Sequence, residues 1–327
     1  MNRQLWSKRL QAVLVGAALV LGTVAQAQDK VSLRLNWYLG GLHVPFYYGK
    51  EKGIYAAEKI DLTINEGRGS ANTVQVVAAG SDTFGLADSS SVISTAAKGA
   101  DVKSVMTVLS STGFSVVSLA STGIRTPKDL EGKRLAVSPG DPLAQLLRAV
   151  AAVNNVDMSK VSLVQVDPAA KVVSVLEKRA DALLGGADDQ FFLIKYRGFE
   201  PAALRFADHG GNIVGMTILT KGEMIKSNPD LVRRFVRATI RSWEEAKKNP
   251  GAAVDAAMKV KPDLNRQSML DQMQVDFELM DSKNVKGRTG FGAQADWEQT
   301  LNLLKQYRGL ETNLPWTAFH TNEFVGQ

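Results

Sequence analysis

The chain has 327 residues, 45% of them apolar and 22% charged, and no cysteine. That excludes a disordered chain, a collagen-like fibre and a disulfide-stapled miniature, and the length supports one large domain or two ordinary ones. Lysine plus arginine outnumber aspartate plus glutamate by 39 to 33, but Arg3, Lys8 and Arg9 lie in an acid-free first ten residues; no basic run interleaved with aromatics occurs elsewhere, so a nucleic-acid groove has no support.

Residues 1–27 read as an export signal. A basic start precedes an apolar stretch from Ala12 to Val24, which is 13 residues long, short for a membrane span of roughly 20. Ala25-Gln26-Ala27 then forms a small-residue cleavage site, which sets Gln28 as the mature start. The expected compartment is the periplasm. With no cysteine after the cleavage site, the mature chain is expected to carry no lipid anchor.

From Gln28 onward, strand and helix patterns alternate. Val31–Asn36 and Ile60–Asn65 alternate apolar and polar residues, and Thr83–Ala87 and Val102–Leu109 read as further strands. Helices are predicted at Pro45–Lys52, Ser70–Ala79 and Val92–Lys98, each followed by glycine, the residue that most cheaply takes the left-handed position after a helix. The middle continues with strands at Ser115–Leu119, Arg134–Val137, Val161–Val166 and Ala182–Leu184, and helices at Leu143–Asn154, Ala169–Lys178 and Asp189–Tyr196. Beyond Ile213–Thr220 the pattern is helical, through Leu231–Lys247, Ala252–Val260, Gln267–Met280 and Ala295–Tyr307.

This alternation predicts an α/β protein with mixed or parallel sheets. There are too many units for one five-stranded sheet, so two lobes are expected. Lobe 1 takes residues 28–112 and 210–327, and lobe 2 is inserted as residues 113–209. The Ser- and Gly-containing crossings near Ser110–Phe114 and Ala207–Asn212 are hinge candidates.

Catalytic signatures are missing. There is no nucleophile elbow, Walker sequence or zinc-ligand spacing, and the three histidines are scattered. Gly67-Arg68-Gly69-Ser70 lacks the third glycine of a dinucleotide turn and reads first as a tight strand-to-helix connection. No cofactor or metal is expected, and binding rather than bond-making is the function left.

Several segments carry a resemblance. They are Leu35-Asn36-Trp37-Tyr38 with His43-Val44-Pro45-Phe46-Tyr47-Tyr48-Gly49-Lys50, then Val76 to Leu86, then Thr126-Pro127-Lys128-Asp129-Leu130-Glu131-Gly132-Lys133, and Arg179-Ala180-Asp181-Ala182. In order and spacing they resemble the periplasmic substrate-binding proteins of ABC importers that include the thiamine-pyrimidine, alkanesulfonate, taurine and nitrate receptors. The resemblance implies a two-lobed type II periplasmic binding protein fold with the ligand cleft between the lobes. It also implies a small-molecule solute and an ABC transporter permease as partners. Fungal relatives that make a thiamine pyrimidine use a cysteine-rich motif, which this chain lacks.

Candidate ligand contacts follow from the rule that open α/β sheets bind ligands outside the C-terminal ends of their strands. Trp37 ends the first strand and offers an indole for stacking; His43 and Tyr47 follow on the next helix. Ser70 is expected to cap a helix at the crevice. Asp88, Ser89 and Ser90 open another helix, and Ser138, Gly140 and Asp141 form the corresponding turn of lobe 2, with Asp141 and Pro142 suited to a helix start. Asp188 and its neighbour Asp189 follow the last strand of that lobe; Asp208 and His209 lie in a crossing. Each has an ordinary reading beside this one: packing for Trp37 and Tyr47, a structural histidine for His43, simple capping for Asp88 to Ser90. Acids outnumber bases here, with Arg68 the nearest counter-charge. With the aromatics, that favours a planar nitrogen-containing ligand over a small sulfonate. The expected protein is thus a receptor that makes no bond, a monomer by default. Receptors for sulfonate, taurine or nitrate, a sensor, and an enzyme acting on a pyrimidine-like ring are the rival readings.

Overall fold

The computed structural model describes residues 28–139 and 141–326. The expected export signal and Gly140 lie outside these residues. Ten strands are present among them: β1 (Asp29–Arg34), β2 (Ile60–Asn65), β3 (Phe84–Asp88), β4 (Val102–Thr107), β5 (Phe114–Leu119), β6 (Arg134–Val137), β7 (Ser162–Gln165), β8 (Ala182–Gly186), β9 (Pro201–Arg205) and β10 (Met216–Lys221). Twelve helices accompany them: α1 (Val44–Glu51), α2 (Ile54–Ala57), α3 (Ser70–Ala78), α4 (Ser89–Ala96), α5 (Pro142–Val153), α6 (Lys171–Leu176), α7 (Gln190–Lys195), α8 (Gly222–Ser227), α9 (Pro229–Lys248), α10 (Pro250–Val260), α11 (Arg266–Leu279) and α12 (Gln294–Arg308).

Two five-stranded sheets result, in the orders β2-β1-β3-β10-β4 and β7-β6-β8-β5-β9. β1 runs parallel to β2 and β3, and β6 parallel to β7 and β8. β10 is antiparallel to both neighbours, as is β5. Each sheet is therefore mixed, with two parallel and two antiparallel pairings. β3 and β8 are buried along their whole length, as expected of central strands covered on both faces.

The chain leaves the first sheet after β4, builds the second, and returns as β10. The two crossings lie side by side. The Val108 and Leu109 amides both donate to Met216 O, at 2.8 and 3.0 Å, and the Gly215 amide donates to Leu109 O at 3.0 Å. This is the two-lobed type II binding-protein architecture.

Local chemistry explains the helix starts. Asp88 accepts the Ser91 amide at 2.9 Å to cap α4, and Asp141 accepts the Leu143 amide at 3.0 Å to cap α5. α9 buries Leu231, Phe235, Ala238, Ser242 and Ala246 at helical spacing. Phe235 stacks on Phe84 of β3, with centroids 3.9 Å apart; burying a side chain of this kind stabilises the fold by about 1.5–3 kcal/mol. On its outer side, Arg234 reaches Asp29 at 2.7 Å and Arg237 reaches Glu58.

Several features differ from the sequence pattern, among them the short helices α2 and α8, which no predicted element covers. β9 is an additional edge strand on β5; its segment, Pro201 to Arg205, has neither alternation nor β-branched residues and is held by pairing. The helix expected over Ala169–Lys178 is a 3₁₀ turn at Pro168–Ala170 followed by α6, because Asp167 accepts the Ala169 amide at 2.9 Å and fixes a separate start. The C-terminal helices touch both lobes: α10 packs in lobe 1, α11 packs in lobe 1 and also on α7 of lobe 2, and α12 packs on α5 of lobe 2 as well as on α4. No helix among the described residues is long and apolar enough to cross a membrane.

Candidate functional site

A cavity of about 200 Å³ lies between the lobes at the C-terminal ends of the strands. Lobe 1 lines it with Asn36, Trp37, His43, Arg68 and Ser70. Lobe 2 contributes Ser138, Asp141, Lys171, Asp188 and Asp189, and α11 contributes Gln272.

The backbone of Asn36 and Trp37 is held before any ligand arrives. The Gly67 amide donates to Trp37 O at 3.1 Å and the Gly69 amide to Asn36 O at 2.7 Å. A Cβ at Gly67 would sit 1.9 Å from Leu35 O, so only glycine allows this approach. The glycines of the 67–70 turn therefore serve strand packing and place Trp37 in the cavity wall. Its indole faces across the cleft, where the Lys171 ammonium lies 6.0 Å from a Trp37 ring centroid.

His43 is 3% exposed. Its Nδ1 accepts the Gly40 amide at 3.0 Å, which puts the ring proton on Nε2, and Nε2 donates to Asn36 Oδ1 at 2.9 Å. Burial pushes its pKa down to about 3. The ring is neutral, both nitrogens are engaged, and His43 acts by orienting Asn36, whose amide NH₂ is the group left for a guest. Gln272 does similar work from α11: its Oε1 accepts the Gly41 amide at 2.7 Å.

Lobe 2 brings charge. Lys171 Nζ and Asp141 Oδ2 are 2.5 Å apart, with side chains 5% and 6% exposed, and the ammonium also donates to Leu184 O at 2.7 Å. Ser138 Oγ is buried with no hydrogen-bond partner. Beyond them stand three carboxyl groups, Asp188 and Asp189 at the cavity wall and Asp276 behind on α11. Asp276 is 1% exposed and neither carboxyl oxygen has a hydrogen-bond partner. Burial, then the charges of Asp188 and Asp189, hold its pKa well up. Burial and then the Asp188 charge raise Asp189 to about 7, and burial raises Asp188. This end of the cleft retains protons near neutrality and offers carboxyl oxygens to donors. Among the described residues no three His, Asp or Glu side chains converge as a metal-ligand set.

The remaining expected contacts fall elsewhere. Tyr47 is buried beside α1's neighbours and does not line the cavity; burial and then the Glu66 charge push its pKa up to about 12. Asp88, Ser89 and Ser90 do not line it either, because their polar groups are spent inside lobe 1. Asp88 accepts from the Ser90 hydroxyl and from the Ser91 amide and hydroxyl, and Ser89 Oγ donates to Val214 O. Ser70 lines the cavity but is not a cap. Gly69 takes the cap position at φ 120°, and Ser70 Oγ accepts the Asp88 amide at 3.0 Å. Asp208 is exposed near Arg205, away from the cleft with His209. The sequence pattern did not single out Asn36, Lys171, Gln272 or Asp276. Asn36 alone carried a signal, its place beside Trp37 at the end of β1.

Relatives share this scaffold. The chain is 24% identical to the formylaminopyrimidine-binding protein of Halalkalibacterium halodurans, over 92% of this chain and 93% of that protein. It is 26% identical to the riboflavin-binding protein RibY of Chloroflexus aurantiacus, over 91% and 86%. It is 23% identical to a 4-amino-5-hydroxymethyl-2-methylpyrimidine phosphate synthase of Legionella pneumophila, over 92% and 94%. The structure of the alkanesulfonate-binding protein SsuA of Xanthomonas axonopodis pv. citri, bound to MOPS, superposes with a TM-score of 0.70 at 15% identity, over 90% and 99% of the two chains. The family model described as NMT1/THI5 like matches residues 41–253, well over half of the chain, and the protein belongs to that family.

Proposed function

We propose that this protein is a periplasmic receptor that captures a small, planar, nitrogen-containing solute between its lobes and passes it unaltered to the permease of an ABC importer. The observation that carries the reading is the facing of two walls: the Trp37 ring and the His43-oriented Asn36 amide on lobe 1, and the carboxyl groups of Asp188 and Asp189 on lobe 2. A flat ring with amino or ring N–H donors satisfies both. The indole supplies a stacking face, Asn36 donates to a ring nitrogen, and the carboxyl groups accept from amino groups. Two of the relatives are named for binding a pyrimidine and a flavin, both planar nitrogen heterocycles.

The site lacks a cysteine nucleophile and a histidine base, although Asp189, raised to about 7, is a group that could exchange a proton. His43 stays neutral with both nitrogens occupied, and no cysteine exists to act as nucleophile. The Legionella relative is named as a synthase, so turnover is an explicit outcome of the test. Residues 28–327 are titrated calorimetrically with thiamine, riboflavin and 4-aminopyrimidines, with taurine, nitrate and an alkanesulfonate as counter-panel. One-to-one binding of a heterocycle is expected, and Trp37→Ala weakens it by about 1–3 kcal/mol, the usual value of an aromatic–base stack. Equal affinity in the variant removes the stacking reading, exclusive binding of the anions replaces it with a sulfonate or nitrate receptor, and a changed ligand mass makes the protein an enzyme.

A further inference from the structure

Three donors gather around one short stretch of lobe 2. The Leu143 amide opens the twelve-residue α5, the Lys171 ammonium comes from α6, and the Ser138 hydroxyl lies in the turn between β6 and α5, buried and without a partner. Asp141 closes that turn, its amide donating to Ser138 O at 3.1 Å. All of these residues line the cavity. A helix N-terminus, a buried cation and a hydroxyl together make a site for an oxyanion. Here two of the donors are already taken: Asp141 Oδ1 accepts from Leu143 at 3.0 Å and Oδ2 pairs with Lys171 at 2.5 Å.

We propose that Asp141 is a specificity-determining residue whose carboxylate permanently occupies an oxyanion site, barring free anions and reserving this end of the cleft for an uncharged or cationic group. A free anion must displace a partner tethered to the same turn, and it must do so beside the acidic groups of Asp188 and Asp189, which line the same wall of the cavity. An uncharged or cationic guest meets neither obstacle, and its hydroxyl or amino group still finds Ser138 Oγ unpartnered. This deepens the receptor reading by excluding sulfonate, nitrate and phosphate groups from the natural ligand. It rests on the cavity being the ligand site, but its test needs no natural ligand.

The test is calorimetric titration of residues 28–327 with sodium sulfate at pH 7 and constant ionic strength. Asp141→Ser keeps a good helix cap while removing the charge; Asp141→Asn is the substitute if the serine variant does not fold. Because the Lys171 charge already acts on Asp189, Asp141→Ser with Asp189→Asn is run in parallel. One-to-one sulfate binding at least about tenfold tighter than wild type in either variant, and lost when Lys171→Met is added, supports the proposal. Folded variants that gain no sulfate binding overturn it, as does wild-type protein that binds sulfate equally well, or sulfate binding that survives without Lys171. Failure of the receptor reading itself is seen separately, as absent heterocycle binding by wild type.

Discussion

Replacing Asp276 with asparagine should stabilise the protein at pH 8 and do little at pH 4. The carboxyl group is fully buried, unpartnered, and set against Asp188 and Asp189. In the unfolded chain each of these acids ionises near 3.8. In the folded protein their pKa values are raised, so between the unfolded and folded values the native state holds protons that the unfolded state has released. Stability therefore falls as pH rises through that window. For Asp189, held at about 7, the window is about three pH units wide, or at most ~4 kcal/mol at 1.36 kcal/mol per unit; this is an upper bound, since the group keeps part of its surface on cavity water. Asparagine has the same shape, has no proton to release on unfolding, and donates an N–H to the neighbouring Asp188 carboxyl, a bond worth about 1.5–3 kcal/mol. At low pH the acid itself carries a proton to turn toward the neighbouring Asp188 carboxyl, so the gain vanishes there. Calorimetric melting of wild type and variant at pH 4, 6 and 8 measures this. A rise of several degrees at pH 8 that shrinks toward pH 4 is expected; a variant that melts lower than wild type at pH 8 refutes the reasoning.

Other perturbations test other parts. His43, held near 3 by burial, is neutral in the fold while the unfolded chain takes up a proton below 6.5, so it contributes stability above 6.5 that is lost as pH falls toward 3; His43→Gln should flatten this acid limb in a melting series and weaken heterocycle binding by releasing Asn36. Gly67→Ala, with its Cβ 1.9 Å from Leu35 O, should displace Trp37, cost several kcal/mol in urea unfolding and abolish binding. Asp271 joins α11 to lobe 2 through Lys195 at 2.9 Å and Tyr196 at 2.8 Å; Asp271→Ala removes about 0.2–1 kcal/mol per exposed contact, and stopped-flow release should be a few-fold faster.

Much of this was legible in the residues, because local rules placed it. Alternating Val31 and Leu33 mark β1, and Trp37 follows from the end-of-strand rule. The Asp141-Pro142 pair announces the start of α5. What was not legible depends on distant parts of the chain. Lys171 meets Asp141 from 30 residues away, and Gln272 meets Gly41 from 231; no spacing encodes either. Ser70 looks like a cap because serine is a favoured one, yet its hydroxyl is committed to the Asp88 amide of β3, 18 residues on. Asp88 to Ser90 look available because capping residues face a crevice in the sequence reading, whereas in the fold they satisfy one another. β9 has no pattern at all and exists because β5 offers an open edge.

The central claim is that the cleft takes up a planar nitrogen heterocycle and gives it back unchanged. Native mass spectrometry of residues 28–327 with the heterocycle and anion panel, followed by denaturing release, tests it most directly. One heterocycle per chain, released with its original mass and displaced from the Trp37→Ala variant, is the expected result; occupancy by an anion alone, or a released compound of altered mass, contradicts it.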